Sequence, residues 1–207
     1  MKKIVVLIAV LFFGSICALA ESNLNVGDAY FSVMLGGGNA INKIDGLEWG
    51  NRGGLSYGLQ VMSMISSHVA LGVEVSGTNF SSTSNTFYEG STELDAQVNA
   101  SIWNVMAAGK IYLTNNPSRI YIPVGIGVGH ARVELDYLYN GKPFLHDKDK
   151  SNGFSWYAGL GFEAEVSEYI TVGFEARIHR TTVEMDFPDE KYFPRYITCL
   201  AKVGYKF

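Results

Sequence analysis

From Phe154 to Val166 apolar residues occupy every even position (Phe154, Trp156, Ala158, Leu160, Phe162, Ala164, Val166), with Ser155, Tyr157, Gly159, Gly161, Glu163 and Glu165 between them. A period of two is that of a β-strand. The next stretch repeats it, with Ile170, Val172, Phe174, Ala176 and Ile178 set against Thr171, Gly173, Glu175, Arg177 and His179. So does the C-terminus, where Ile197, Cys199, Ala201, Val203, Tyr205 and Phe207 alternate with Tyr196, Thr198, Leu200, Lys202, Gly204 and Lys206. Earlier segments around Phe31, Leu59 and Val73 follow the same rule. The segment around Trp103 and Val105 is noisier, because Ala96, Val98 and Ala100 fall in the opposite phase, and a bulge near Ile102 would reconcile the two.

Together with Ile120 to Val133, these segments predict eight strands of about ten or more residues each, the length of a tilted membrane crossing. Their connections alternate in kind. Ile65 to Ser67, Thr114 to Ser118 and Ser167-Glu168 are tight, whereas Asn39 to Gly53, Asn79 to Leu94, Glu134 to Asn152 and Glu184 to Phe193 are long and polar. The expected fold is therefore all-β: an eight-stranded antiparallel up-and-down transmembrane β-barrel with short periplasmic turns and four longer extracellular loops. A soluble barrel or sandwich with its apolar set inside is the rival. Against it stand the strand length, the glycine-rich and sparsely charged polar face, and an apolar face that runs to the last residue.

Gly125-Ile126-Gly127-Val128-Gly129 superficially resembles a phosphate-binding loop. Such a loop requires a strand-to-helix turn. Here Ile120, Ile122, Val124, Ile126 and Val128 form an unbroken apolar face with no helical pattern after it, so the glycines line the barrel interior.

The first twenty residues fit a secretory signal peptide: Lys2 and Lys3, an apolar run from Ile4 to Ile16, and Ala18-Leu19-Ala20 before a cut between Ala20 and Glu21. The expected domains are thus a cleaved leader, 1–20, and one barrel, 21–207. A lipobox at Cys17 is disfavoured by the bulk of Ile16. Loss of the two lysines takes the net charge from −4 to −6, which argues against nucleic acid as a partner. Cys199 is then the sole cysteine, so no internal disulfide can form, and beyond the leader no apolar run approaches the roughly 18 residues of a membrane helix.

The closing YITCLAKVGYKF, ending in Tyr205 and Phe207, resembles the C-terminal assembly signal of outer-membrane barrels. The hairpin IYLTNNPSRIYIPVGIGVGHA is similar to that of small eight-stranded proteins of the opacity-protein, OmpA-domain and OmpX group. The resemblance implies a monomer in the outer membrane, contact with lipid and lipopolysaccharide, insertion by the barrel-assembly machinery, and loops used for adhesion, host or environmental contact, or envelope integrity. It implies no cofactor.

The inward face is expected to carry Glu74, Lys110, Glu163, Glu165, Glu175, Arg177 and Lys202. Charges in a narrow interior must be paired or hydrated, so an internal ion-pair network is expected, with Glu175 opposite Lys202 if the last loop is symmetric. Eight strands leave room for side chains but not for an open channel, which disfavours porin activity and leaves a narrow ion or small-molecule conduit as an alternative. A lipid-modifying enzyme, of lipid A deacylase or acyltransferase type, is another. Its candidate residues are His179, Thr181 and Glu184, although Thr stands where the deacylase-type His-x-Ser motif has Ser. His146, Asp147 and Asp149 sit together in a loop, yet Lys148 and Lys150 oppose a metal ion. Loop aromatics Trp49, Phe87, Tyr88, Tyr137, Tyr139, Phe144, Phe187, Tyr192 and Phe193 are either partner anchors or membrane-interface residues.

Overall fold

The structure, a computed structural model, describes residues 26–41, 53–89, 92–114, 118–139, 142–183 and 194–207. Eight antiparallel strands follow one another around a closed barrel: β1 (Ala29–Ala40), β2 (Gly53–Ser66), β3 (Val69–Glu89), β4 (Thr92–Tyr112), β5 (Ser118–Tyr139), β6 (Lys142–Glu165), β7 (Ile170–Thr182) and β8 (Arg195–Lys206). β1 closes on β8 through a ladder from Tyr30↔Lys206 to Ala40↔Tyr196, so no sheet edge is left over.

Side chains alternate as the period of two requires. Val33, Leu71, Val105, Ile126, Leu160, Phe174 and Val203 are exposed around the outside, and Glu74, Lys110, Glu175, Arg177 and Lys202 are buried within. Apolar atoms face out and charges face in, the reverse of a water-soluble barrel and the arrangement lipid demands. Cys199 lies on the outer wall between Gly37 of β1 and Ala176 of β7. Tyr205 stacks on Tyr169 at the turn end of the same wall, 6.1 Å between ring centroids, and Phe207 is exposed beside them.

Two sequence expectations need correcting. Asn79 to Leu94 and Glu134 to Asn152 are strand over most of their length. β3 and β4 pair up to Glu89↔Thr92, and β5 and β6 up to Tyr139↔Lys142. Polarity marks exposure to water, which a hairpin beyond the membrane shares with a loop. The strand formers Thr83, Thr86, Phe87, Tyr137 and Tyr139 and the hairpin dipeptide Asn140-Gly141 carried the better signal. The bulge near Ile102 is also absent: β4 pairs with β5 without a shift from Leu94 to Tyr112. The irregularity lies across the hairpin in β3, between Phe80 and Thr83, and Ile102 points into the barrel, where it is buried.

The glycines of the stretch Gly125-Ile126-Gly127-Val128-Gly129 serve two purposes. A Cβ on Gly125 would stand 2.3 Å from the ring of Tyr157, so this glycine makes room for the aromatic ring. One on Gly127 would stand 2.0 Å from the carbonyl oxygen of Val105, so that glycine permits the close backbone approach of a strongly coiled wall.

Candidate functional site: the charged interior and the projecting hairpins

The interior is layered. Nearest the short turns, Tyr30, Met62, Met64, Ala70, Ala108, Tyr112 and Tyr121 form an apolar floor, with the Tyr30 and Tyr112 hydroxyls 2.9 Å apart. Arg119 pairs with Glu165 at this level and lies over the Tyr112 ring.

Above the floor the charges form one continuous chain. Arg177 donates through Nη1 to Glu74 Oε1 (2.6 Å) and through Nε to Glu175 Oε2 (2.5 Å). Lys202 Nζ donates to Glu163 Oε2 (2.7 Å) and lies 3.3 Å from Glu175 Oε1, and Lys110 Nζ reaches the same Glu163 oxygen at 3.0 Å. Glu175 and Lys202 are diagonal neighbours: Lys202 stands opposite Gly173, one inward position from the place expected of a symmetric last loop.

Tyrosines complete the coordination of these carboxylates. Tyr112 donates to Glu163 (2.6 Å), Tyr121 to Glu175 (2.5 Å) and Tyr157 to Glu74 (2.9 Å), while Gln60 Nε2 also donates to Glu74. The cations rest on the same rings: Arg177 lies 4.3 Å from the Tyr157 centroid, and Lys110 sits between Tyr30 and Tyr121 at 4.8 and 4.7 Å.

Among the described residues, the buried charges are four carboxylates (Glu74, Glu163, Glu165, Glu175) and four cations (Lys110, Arg119, Arg177, Lys202). The interior is therefore neutral, as burial requires when an uncompensated charge costs several kcal/mol. Arg119 and the tyrosines were missed by sequence reasoning aimed at charge and small residues. Strand phase was the available signal: Arg119 and Tyr121 share their face with Gly125, and Tyr157 and Tyr196 share theirs with Glu163 and Lys202.

His179 lies in the next layer. Its Nε2 is 3.0 Å from Thr198 Oγ1, and its ring stacks on Tyr196, 4.5 Å between centroids and nearly parallel. Thr181 is on the same inward face, but its hydroxyl is engaged with Ser155 (2.9 Å), which in turn donates to Asn104. A His179–Thr181 proton relay is thus not formed, because the two side chains turn to opposite neighbours. Glu184 lies outside the described residues. Beyond this layer Ile102, Ala131, Val133 and Val183 are buried, and Phe80 meets Tyr196 edge-on at 5.7 Å, so an apolar layer covers the polar ones.

Outside the barrel, the projecting β5–β6 hairpin carries a different set of charges. Glu134 pairs with Arg132 and with Lys148 (3.3 Å), and His146 Nδ1 lies 2.6 Å from Asp136 Oδ1. Hydrogen bonding from Arg132, seconded by Lys148, holds the Glu134 carboxyl below its ordinary range. Asp149 falls out of phase with His146 along β6, so its side chain leaves the strand on the opposite face from the imidazole. Among the described residues no group of three His, Cys, Asp or Glu could hold a metal ion. Tyr137, Tyr139 and Phe144 lie in this hairpin's strands, and Phe87 and Tyr88 in the β3–β4 hairpin. Trp49, Phe187, Tyr192 and Phe193 lie outside the described residues, as do Ala20 and Glu21.

The barrel has clear structural counterparts. It is similar to the attachment invasion locus protein Ail of Yersinia pestis, with a TM-score of 0.53, 16% identity, and coverage of 88% of this chain and 100% of that one. A second structure of that protein, in complex with the heparin analogue sucrose octasulfate, gives 0.50 at 15% identity, with 88% and 100% covered. Neisserial surface protein A gives 0.54 at 14% identity, with 86% and 97% covered. No curated protein matches the chain in sequence. The family model described as outer membrane protein beta-barrel domain matches residues 6–207. With lipid-facing apolar walls, a neutralised interior and that match along nearly its whole length, the chain belongs to the outer membrane protein β-barrel family and resides in the outer membrane.

Proposed function

We propose that this protein is a non-enzymatic surface protein, anchored by its barrel and binding extracellular partners through its projecting hairpins. The observation that carries the reading is the division of labour between the two ends of β5 and β6. Within the membrane these strands present Ile126, Val128, Phe154 and Leu160 outward, and past that band the same faces turn to His130, Arg132, Glu134, Lys148 and Lys150. A paired strand ladder holds those polar side chains in fixed register, a rigid platform of the kind that binding surfaces favour. Ail and Neisserial surface protein A, whose barrels are similar, carry attachment and surface roles in their names.

The interior supports a structural role for Glu74, Lys110, Glu163, Glu165, Glu175, Arg177 and Lys202, as a plug that fastens the barrel wall and leaves no open path for ions. His179, stacked on Tyr196 and bound to Thr198, fits the same role better than that of a catalytic base. The monomer arrives in the membrane by export on its leader, cut between Ala20 and Glu21, and by recognition of Tyr205 and Phe207 by the barrel-assembly machinery.

Shortening the two hairpins tests this reading. Replacing residues 84–96 and 137–145 by tight turns should leave heat-modifiable gel migration intact while adhesion of expressing cells to matrix-coated surfaces falls to that of cells lacking the protein. Undiminished adhesion would remove the hairpins from the function. Loss of lipid A modification on His179→Ala would revive the enzyme.

A further inference from the structure

We propose that Thr171, Ser32 and Gln60 hold a short file of ordered water that leads from the turn end of the barrel to the amide that grips Glu74. These residues occupy one unbroken row of inward positions. Thr171 of β7 stands opposite Gly204 of β8, Gly204 opposite Ser32 of β1, Ser32 opposite Gln60 of β2, and Gln60 opposite Glu74 of β3. All three polar residues are buried, and each keeps an oxygen with no hydrogen-bond partner among the described residues: Thr171 Oγ1, Ser32 Oγ and Gln60 Oε1. Where two or more such atoms converge, ordered water satisfies them.

Gly204 makes the hydroxyls converge. A Cβ there would stand 2.4 Å from Thr171 Oγ1 and 3.0 Å from Ser32 Oγ, so the two oxygens lie at most 5.4 Å apart, the sum of those distances. One water making two hydrogen bonds of about 2.8 Å bridges such a gap. The third atom near that point is also an oxygen, the Phe31 carbonyl at 3.5 Å, whereas at Gly125 and Gly161 the same point meets tyrosine rings. An oxygen-lined nook suits a small donor, and each hydroxyl can donate to it or accept from it. A metal cation is opposed by Lys202 and Lys206, which flank Gly204 two positions away on either side of the same strand face.

The row opens in one direction. Tyr30, Met62, Tyr112 and Tyr121 seal the floor on β1, β2, β4 and β5, but the inward residues of β7 and β8 at this end include Thr171, Gly173 and Gly204. Thr171 is the second residue of β7, opposite Glu165, and the two retain 5% and 8% exposure. At the far end Gln60 donates through Nε2 to Glu74, which leaves Oε1 to accept from the water. Farther along the lumen, the apolar layer of Ile102, Val133 and Val183 bars the way. The file is thus a dead end on the turn side, and Glu74 is tied to solvent only through one amide.

A crystal structure and side-chain hydrogen exchange of the folded, full-length barrel in detergent test this. Wild type should show solvent density within hydrogen-bonding distance of both Thr171 Oγ1 and Ser32 Oγ, and again at Gln60 Oε1. Gly204→Ala sets a methyl group between the hydroxyls and should remove the first water, slowing deuterium exchange of the Gln60 side-chain amide about tenfold. Ser32→Ala, which deletes one hydroxyl and adds no bulk, should lose the same density. Gly58→Ala adds an interior methyl against Met34, off the row, and should leave the exchange at the wild-type rate. All variants are checked for folding by heat-modifiable migration. Wild type with no density at the hydroxyl pair would overturn the proposal without recourse to any variant. So would wild-type exchange no faster than that of Gly204→Ala, equal slowing in Gly58→Ala, or density that strengthens when thallium replaces sodium, the mark of a cation.

Discussion

Arg177 between Glu74 and Glu175 and Arg132 beside Glu134 are the same chemical pair in two settings. The first group is fully enclosed in the barrel, with side chains 0% exposed. In the second, Arg132 is 42% and Glu134 25% exposed on the projecting hairpin. Water competes for the exterior pair and salt screens it, whereas the interior pair has no other solvent and must be satisfied by its neighbours. Hence the interior recruits Tyr112, Tyr121, Tyr157 and Gln60 to fill the remaining carboxylate positions, and the exterior needs no such supplement. Burial, more than the identity of the ions, decides how many partners a charge must have.

The sharpest way to break the comparison is Arg177→Met, which leaves Glu74 and Glu175 facing each other without their shared cation. It should destabilise the barrel by about 3–5 kcal/mol, read by urea titration in lipid vesicles. Gly125→Leu should follow, at about 1–3 kcal/mol in the same titration, because the new side chain must displace the Tyr157 ring that both stacks against Arg177 and donates to Glu74. Tyr121→Phe removes the hydroxyl shared by Lys202 and Glu175 and leaves the ring, for an expected loss of about 1–3 kcal/mol, toward the lower end because Lys202 still reaches both carboxylates.

Outside, Glu134→Gln should cost under about 1 kcal/mol and less as salt is raised. The pH response carries a sign of its own. Because the folded Glu134 carboxyl titrates below its ordinary range, its contribution is present above the unfolded value and is lost as acidification passes the folded one. Protease nicking of the β5–β6 hairpin should therefore rise in acid while the barrel stays folded, and Glu134→Gln should flatten that rise.

Strand phase made the wall legible before any coordinates, since alternation along β6, β7 and β8 sorts each residue to lipid or lumen. It also named seven of the interior charges. Their pairings were not legible, because Lys110 meets Glu163 and Arg177 meets Glu74 across the lumen, from strands that share no ladder. Such contacts depend on how the sheet closes and shears, which local alternation does not encode. The tyrosines escaped for a related reason: amphipathic rings suit lipid interface and lumen alike, and only their phase tells which. At the other end, the hairpins were mistaken for loops because a strand bathed in water on both sides loses the alternation that identifies it.

Cys199 turns this architecture into a reporter of its own biogenesis. Cleavage of the proposed leader would remove Cys17 and make Cys199 the single thiol, on the outer wall between Gly37 and Ala176. A chain still waiting in the periplasm offers that thiol to a water-soluble maleimide. Once the barrel is seated, the same atom is under hydrocarbon and beyond the reagent. Labelling before and after insertion thus times the passage of an unmodified chain from water into the bilayer.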